Sequence, residues 1–305
     1  MFSSPPPSRL DDLLAPAKIN LFLHIVGRRA DGYHLLQSVF VLLDIGDLLS
    51  FERRSDGKVR REDRRPGDLP ADDLCVRAAH LLQQATGCSQ GVNILLDKRL
   101  PAQAGLGGGS SDAATCLLAL NRLWGLGLRR HELATIGLRL GADVPFFLGG
   151  HTAWVEGVGD QLTPVRLPPT RYLLVKPPEG SPTAAIYADP ELKRDVAPLK
   201  IINFAEEDAI KTDAAEPLWL DERRLMARSH NVMQPVVQRL CPSVAEGLGR
   251  LNQHGFDGRM TGSGTVLFAR LDDNRQTDAL TWPPGWWSSL CGSRNLHPLH
   301  DWCSD

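Results

Sequence analysis

Every second residue from position 19 to position 25 is an aliphatic residue, and this pattern predicts a β-strand. One face carries Ile19, Leu21, Leu23 and Ile25, and the other carries Lys18, Asn20, Phe22 and His24. A period of two is typical of a half-buried strand. Residues 1–14 precede it, and because the prolines at 5–7 cannot continue a helix, we expect a frayed arm there.

Apolar residues recur at helical spacing in three later segments, which are residues 72–87, 112–127 and 129–141. The first has Asp72 or Asp73 as its N-cap and Gly87 just beyond its end. Residues 91–101, 151–165 and 171–178 read as strands. Residues 52–68 mix charges of both signs, and because acidic residues interrupt the arginines, we favour a solvated hairpin or loop over an anion-binding patch.

The composition becomes proline-rich over residues 167–170, which indicates the start of a second unit. We therefore predict an N-terminal domain over 1–166 and a C-terminal domain over 167–305. The second holds a helical segment at 227–242 and a strand, a small-residue turn and a strand at 255–271. The tail after about residue 281 is left unassigned and contains Trp282, Trp286, Trp287 and Trp302.

The charge balance excludes a general attraction for nucleic acid or anionic membranes, because 34 basic and 36 acidic residues leave a net charge of −2. The start of the chain lacks the pattern of a signal peptide, and no apolar stretch approaches the ~20 residues that span a bilayer. Six scattered cysteines without a CxxC pair favour reduced thiols and no zinc site. We expect a cytoplasmic protein.

The stretch "PAQAGLGGGSSDAA", residues 101–114, joins a predicted strand to a predicted helix. A helix N-terminus presents unpaired N–H groups, and glycines let an anion approach them, so the stretch can bind phosphate. A tight turn before a capped helix is the alternative, with Ser110 or Ser111 as the cap or as a ligand of phosphate or metal. It is not a P-loop, because no lysine follows Gly109, and it comes too late for a Rossmann fingerprint.

Three separated segments resemble the motifs of the GHMP kinase superfamily, namely "PAKINLFLHIVGRRADGYHLLQSVF", "LPAQAGLGGGSSDAA" and "MTGSGTVLFA". The first of them, with "GADVPFFLGG" and "SPTAAIYADPEL", resembles more narrowly the branch that phosphorylates a cytidine diphosphate-linked methylerythritol in the non-mevalonate route to isoprenoids. The resemblance implies an α+β fold of two domains, with an ATP-binding N-terminal domain, a smaller C-terminal domain and the active site in the cleft between them. It also implies ATP and Mg²⁺ as cofactors.

The same resemblance implies the site residues. Asp143 would be the general base for the attacking 2-hydroxyl, and Lys18 would keep it ionised and offset charge in the transition state. Tyr33 and Tyr187 would sandwich the cytosine, and His34 would bond its edge. Asn20 would contact substrate hydroxyls, and Thr183 would lie near the substrate phosphates. The ATP phosphates would be held by Pro101, Ala102, Gln103, Ala104, Gly105, Leu106, Gly107, Gly108, Gly109, Ser110 and Ser111.

The sequence departs from the superfamily pattern in two places. Asp73 stands where an asparagine usually touches adenine, and Val232 follows Asn231 where an acid is common. Two other functions stay open, which are a mevalonate- or homoserine-type kinase and a catalytically silent sensor on the same fold. The nucleobase motif argues against the first, and intact Lys18 and Asp143 argue against the second. The oligomeric state and the magnesium ligands stay open.

Overall fold

A computed structural model describes residues 6–65, 69–102, 104–181, 183–206, 216–272, 277 and 280–305. The strands in these ranges are β1 (Arg9–Arg28), β2 (His34–Arg54), β3 (Val59–Asp63), β4 (Gly91–Asp97), β5 (Ala153–Glu156), β6 (Gln161–Arg166), β7 (Arg171–Lys176), β8 (Leu218–Trp219), β9 (Gly258–Met260), β10 (Leu267–Leu271) and β11 (Trp287–Arg294). The helices are α1 (Leu74–Thr86), α2 (Gly108–Leu123), α3 (Arg130–Leu138), α4 (Val144–Gly149), α5 (Thr183–Ala188), α6 (Glu222–Arg228), α7 (Gln234–Leu240) and α8 (Pro242–Gln253). Strands and helices are mixed along the chain, as the predicted α+β class requires.

The C-terminal strand joins the two halves of the molecule. The strands follow the order β8-β6-β5-β2-β11-β7-β10-β9, with β1 and β4 also paired to β2, and β3 paired to β4. One end of β11 pairs with β2 through Arg294 and Leu42, and most of β11 pairs with β7, from Trp287–Lys176 onward. The part of the unassigned tail that forms β11 therefore connects both halves of the sheet.

Strand β1 begins earlier than the sequence indicates. Residues 9–14 pair with β2, from Arg9 opposite Glu52 to Leu14 opposite Leu48, so the prediction of a frayed arm is wrong for them. The expectation of a half-buried strand is also wrong, because Ala15 to Ile25 are buried on both faces. The register shifts between Asn20 and Leu23, so the aliphatic face of the pattern divides between two hydrophobic clusters.

Helix α2 forms the centre of the N-terminal core. It is buried over most of its length and packs on α1, α4 and β1 through residues such as Leu117 and Leu120. Complete burial of a leucine side chain contributes about 1.5–3 kcal/mol, so this helix is held firmly in place. The loop before α2 therefore rests on a rigid platform.

The sequence predicts both caps of α1 correctly. The Asp73 side chain accepts a hydrogen bond from the Val76 backbone N–H at 3.1 Å, and Gly87 ends the helix at φ 68°. The charged stretch that precedes α1 is not a hairpin, because β4 lies between β2 and β3. Its charges pair locally, as between Arg54 and Asp56. In the part of this stretch that the structure describes, such pairing agrees with a solvated segment and not with an anion-binding patch.

Among the described residues, the helices are all too short or too polar to cross a bilayer. The six cysteines are free thiols.

Candidate active site

The glycine-rich stretch leads from β4 into the first turn of α2. It lines a cavity of about 460 Å³, together with residues of the segment before α1 and with Lys98 and Asp112. The N-cap of α2 is Gly107, in a left-handed conformation at φ 71°, and the described residues supply no side-chain cap. The prediction that Ser110 or Ser111 caps the helix is therefore wrong, because both lie inside the first turn. The first N–H groups of α2 remain available to an anion.

Two glycines of this loop are required by space as well as by conformation. A Cβ on Gly107 would lie 2.8 Å from Cζ of Phe147 and 3.1 Å from Cγ of Lys18. Gly105, at φ 73°, approaches the turn between β9 and β10, where a Cβ would lie 3.2 Å from the Thr261 and Gly264 carbonyl oxygens. The chain can therefore pass at these points only without side chains.

A buried ionic network that sequence reasoning missed lies beneath the loop. Lys98 Nζ lies 2.5 Å from Asp47 Oδ2 and 2.8 Å from Asp112 Oδ2. Asp47 also accepts hydrogen bonds from the backbone N–H groups of Arg99 and Leu100, which fixes the start of the loop. Burial and the neighbouring Asp47 raise the pKa of Asp112 to about 8 against the opposing effect of Lys98. The available signal was an aspartate, Asp47, within the largely apolar run of residues 35–51, which also contains Asp44.

Lys18 and Asp143 meet where this loop joins the rest of the site. Lys18 Nζ lies 3.8 Å from Asp143 Oδ2, and the Lys18 side chain is 6% exposed against 37% for the aspartate. Burial lowers the pKa of Lys18, and the charge of Asp143 opposes that shift. The backbone N–H of Lys18 donates to the Leu106 carbonyl at 2.9 Å, so the lysine is bonded directly to the glycine loop. The predicted pair is thus brought together.

Asn20 is buried and is held by protein atoms. Its Oδ1 accepts a hydrogen bond from Lys18 Nζ at 2.7 Å, and its Nδ2 donates to Ser38 Oγ at 3.0 Å. Its backbone N–H donates to Thr261 Oγ1 at 2.7 Å. These bonds make Asn20 the residue that orients Lys18, and its predicted contact with substrate hydroxyls stays a prediction.

The predicted nucleobase residues line a second cavity of about 680 Å³ between the β1–β2 turn and α5. The rings of His34 and Tyr187 are stacked, with centroids 5.1 Å apart and an interplanar angle of 25°. Tyr33 borders the same cavity and is 66% exposed, and its predicted contact with cytosine stays a prediction. Burial raises the pKa of Tyr187, and so does the negative charge of Asp143. The Tyr187 phenol therefore lies within electrostatic reach of the candidate base.

The turn between β9 and β10 packs against both parts of the site. Residues 258–271 form the predicted strand, turn and strand, with Leu267 opposite Met260. Thr183 Oγ1 lies 3.0 Å from Ser263 Oγ, which places this predicted substrate residue at the turn. Asn231 Nδ2 donates to the carbonyls of Met260 and Gly262, at 2.9 and 2.8 Å, so it has a positioning role although no acid follows it.

The remaining predicted residues have these positions. Pro101, Ala102, Ala104 and Leu106 line the cavity of the glycine loop, and Gln103 lies outside the described residues. Asp73 borders the same cavity, where Arg61 Nη1 lies 3.2 Å from its Oδ2. The carboxylate that replaces the usual asparagine is therefore neutralised by an arginine.

Comparisons with known proteins identify the family of the chain. The family of the GHMP kinases N terminal domain matches residues 73–151, and that of the GHMP kinases C terminal matches residues 219–281. The chain is 52% identical over 301 residues to the 4-diphosphocytidyl-2-C-methyl-D-erythritol kinase of Delftia acidovorans (strain DSM 14801 / SPH-1), covering 97% of this chain and 98% of that protein.

Of two similar solved structures, one supports the family and the other supports only the fold. The chain is similar to the crystal structure of a 4-(cytidine 5'-diphospho)-2C-methyl-D-erythritol kinase, with a TM-score of 0.69 and 32% identity over 92% of this chain and 99% of the other. A homoserine kinase from Cytophaga hutchinsonii ATCC 33406 gives a TM-score of 0.68 at 16% identity, over 97% of this chain and 98% of the other, which shows the shared fold alone. The chain belongs to the GHMP kinases and, within them, to the family of the 4-diphosphocytidyl-2-C-methyl-D-erythritol kinases.

Proposed function

We propose that this protein transfers the γ-phosphoryl group of ATP to the 2-hydroxyl of 4-diphosphocytidyl-2-C-methyl-D-erythritol, with Asp143 as the general base. The observation that carries the proposal is the position of the Lys18–Asp143 pair. Lys18 is bonded to the phosphate loop through Leu106, and Asp143 lies within electrostatic reach of Tyr187 in the nucleobase cavity. The contact of Lys18 with the glycine loop and the reach of the Asp143 charge to Tyr187 support a site in which an acceptor hydroxyl would meet a γ-phosphate at this pair.

Phosphoryl transfer depends mainly on positioning and on charge stabilisation. In the proposed step the 2-hydroxyl oxygen forms a bond to the γ-phosphorus, the bond from that phosphorus to ADP breaks, and the proton passes to the Asp143 carboxylate. Lys18 Nζ also lies 4.5 Å from the centre of the Phe40 ring, and Asn20 holds it from the other side. This enclosure keeps a cation in place beside the reacting groups.

The phosphates of ATP would be held by N–H groups of the glycine loop and the first turn of α2. Mg²⁺ would neutralise phosphate charge and polarise the γ-phosphoryl group. Ser110 suits this ion, because it lines the cavity and its Oγ would lie 3.7 Å from a Cβ on Gly141, near the loop of Asp143. The described residues contain no cluster of three or more acidic, histidine or cysteine side chains that could hold a metal ion by themselves. Mg²⁺ is usually bound by few protein ligands together with phosphates and water.

The cytidine end of the substrate would lie in the cavity of Tyr33, His34 and Tyr187. An aromatic face stabilises a stacked base by ~1–3 kcal/mol, so two tyrosines supply affinity that a homoserine or mevalonate substrate could not use. Thr183, at the β9–β10 turn, would contact the diphosphate. A division into domains at residues 166 and 167, a cytoplasmic location and the absence of nucleic-acid and membrane partners stay predictions.

The Asp143→Asn variant tests the assignment of the base. The change keeps the shape and removes the proton acceptor, so we expect kcat to fall about 10²- to 10⁴-fold, with ATP and the cytidyl substrate still bound. Asp257→Asn is the control, because Asp257 is exposed, pairs with Arg259 and lines neither cavity. Steady-state ADP release gives kcat, and calorimetry gives binding. Near-normal turnover by Asp143→Asn would contradict the assignment.

The substrate is tested separately with the wild-type protein. ADP release is measured with the cytidyl substrate, with mevalonate and with homoserine. We expect turnover with the first alone. Turnover with either of the others, at a comparable kcat/KM, would refute the proposed substrate and leave the role of Asp143 to be judged by its own variant.

A further inference from the structure

Arg194 holds together the parts of the nucleobase cavity that come from distant positions in the chain. Its Nη2 donates to the carbonyls of Tyr187 and Asp189, each at 2.8 Å, and its Nη1 donates to the Leu192 carbonyl at 2.9 Å. Its Nε donates to Nε2 of His34 at 3.2 Å. One guanidinium thus connects the segment around α5 to the β1–β2 turn.

The contact between Arg194 and His34 decides which nitrogen of the imidazole carries the proton. A guanidinium has five N–H donors and no acceptor, so Nε2 of His34 must be the acceptor in this hydrogen bond. A neutral imidazole that accepts at Nε2 carries its proton on Nδ1. Among the described residues Nδ1 has no hydrogen-bond partner, so its N–H is available as a donor.

A proton on Nδ1 of His34 allows this nitrogen to distinguish between two pyrimidine bases. Cytosine has an unprotonated acceptor at N3, whereas uracil has an N–H donor at the same position. A donor that faces N3 therefore bonds cytosine and opposes uracil, and an acceptor at the same place would have the reverse preference.

We propose that Arg194 is a positioning residue that fixes the Nδ1–H tautomer of His34 and thereby makes the cavity prefer cytosine to uracil. The inference rests on the proposed function, in which this cavity receives the cytidine end of the substrate. It assigns the selectivity to a residue that does not itself border the cavity.

The charges around His34 favour the same state. Burial lowers the pKa of His34, and the positive charges of Arg194 and Arg28 lower it further. The imidazole is then neutral, as the tautomer argument requires. Arg28 borders the cavity and donates from its Nε to the Gly32 carbonyl, and it forms no hydrogen bond with the imidazole. Arg28→Met therefore removes a positive charge near His34 and keeps the bond to Nε2, so it controls for loss of charge alone in the ratio of the two affinities.

The first experiment measures the tautomer without any nucleotide. Two-dimensional ¹H–¹⁵N NMR of the imidazole nitrogens, assigned to His34 by its absence in His34→Gln, should show a protonated Nδ1 in the wild-type protein. Arg194→Met should shift His34 to the Nε2–H form, and Arg194→Lys, which keeps a donor, should retain the Nδ1–H form. A wild-type His34 protonated at Nε2 overturns the inference even if no variant folds.

The second experiment measures selectivity, with cytidine and uridine 5'-diphosphates as competitive inhibitors against the cytidyl substrate. Wild type should bind cytidine diphosphate at least about tenfold more tightly than uridine diphosphate. With uridine, the Nδ1–H of His34 and the N3–H of uracil are both donors, so neither has a hydrogen-bond acceptor. Arg194→Met should reduce this ratio to about threefold or less, whereas Arg28→Met should leave it unchanged. Tyr187→Ala should weaken both nucleotides alike, because stacking does not distinguish the two bases.

The outcomes separate the inference from the proposed function. An unchanged ratio in folded Arg194→Met, or a wild type that binds both nucleotides equally, overturns the role of Arg194. Absence of kinase activity toward the cytidyl substrate would overturn the proposed function instead, and the NMR result does not depend on that activity.

Discussion

The glycine loop and the nucleobase cavity are built in opposite ways. The loop is one continuous stretch of backbone that begins a buried helix, and its shape is set by Gly105 and Gly107. The cavity is made by side chains of the β1–β2 turn and of α5, more than 140 residues apart, which Arg194 joins. One site therefore depends on backbone conformation, and the other on contacts between separate segments.

The difference explains what each site can recognise. Backbone N–H groups at a helix start bind phosphate in any nucleotide, and the same kind of loop serves many kinases. Side chains with fixed proton positions distinguish one base from another. Changes to the loop should therefore affect the phosphate donor strongly, and changes to the cavity should affect the cytidyl acceptor moderately.

The largest effect is expected for Gly107→Ala. A Cβ there would lie 2.8 Å from Phe147 and would also require a residue other than glycine at φ 71°, so the loop must move. Because a hydrogen bond to a charged group contributes about 1.5–3 kcal/mol, loss of one or two bonds from the loop N–H groups to the phosphates should lower ATP affinity about 100-fold. Binding of the cytidyl substrate should be nearly unchanged, and calorimetry with each ligand measures both.

Gly127→Ala is the matched control for this prediction. Gly127 has nearly the same φ, 67°, and a Cβ on it would have no neighbour within 4 Å. Gly127→Ala therefore places an alanine at a positive φ, as Gly107→Ala does, but creates no steric clash. If both variants bound ATP as wild type does, the glycine loop would be a structural turn and the phosphates would be bound elsewhere.

A smaller effect is expected for Tyr187→Ala at the other end of the site. Loss of one stacking ring, at ~1–3 kcal/mol, should raise KM for the cytidyl substrate about tenfold and leave KM for ATP unchanged. Tyr187→Phe keeps the ring and should remain close to wild type. Equal weakening of both substrates in steady-state kinetics would show that the ring belongs to neither cavity alone.

The same contrast explains how much of the molecule the sequence predicts. The glycine loop and the caps of α1 are local features, and each was located from a few adjacent residues. The Lys18–Asp143 pair was identified through resemblance to a known family, because nothing in the spacing of the two residues brings them together. Asp73 was correctly predicted as a cap, but its pairing with Arg61 was not.

Features that depend on long-range pairing were missed. The strand character of residues 9–14 comes from pairing with β2, and β11 takes its place only because β2 and β7 both pair with it. Arg194 has no pattern around it that marks its contact with His34. The pairing of Asp47 with Lys98 was likewise missed, since the two residues lie 51 positions apart in the sequence.

The last expected effect is on stability and not on ligand binding, and it concerns the ionic network of side chains beneath the glycine loop. Burial raises the pKa of Asp112 to about 8, whereas an unfolded aspartate titrates near 4. The folded state therefore holds a proton that the unfolded chain releases, so this group's contribution to the free energy of unfolding falls as pH rises from about 4 to about 8. A protonated Asp112 leaves Asp47 and Lys98 as a pair without net charge beneath the glycine loop.

The Asp112→Asn variant removes that titration and keeps the size of the side chain. Urea unfolding of both proteins at pH 5, 6, 7 and 8 should show wild type losing stability relative to the variant as pH rises, by at most about 1.4 kcal/mol per pH unit for one proton. Other groups, such as His24, whose pKa burial lowers to about 4, titrate equally in both proteins and cancel in the difference. Parallel curves would mean that Asp112 is ionised beside Lys98 in the folded state. The loop would then rest on a network of net charge −1, and its N–H groups would have to attract phosphate against that charge.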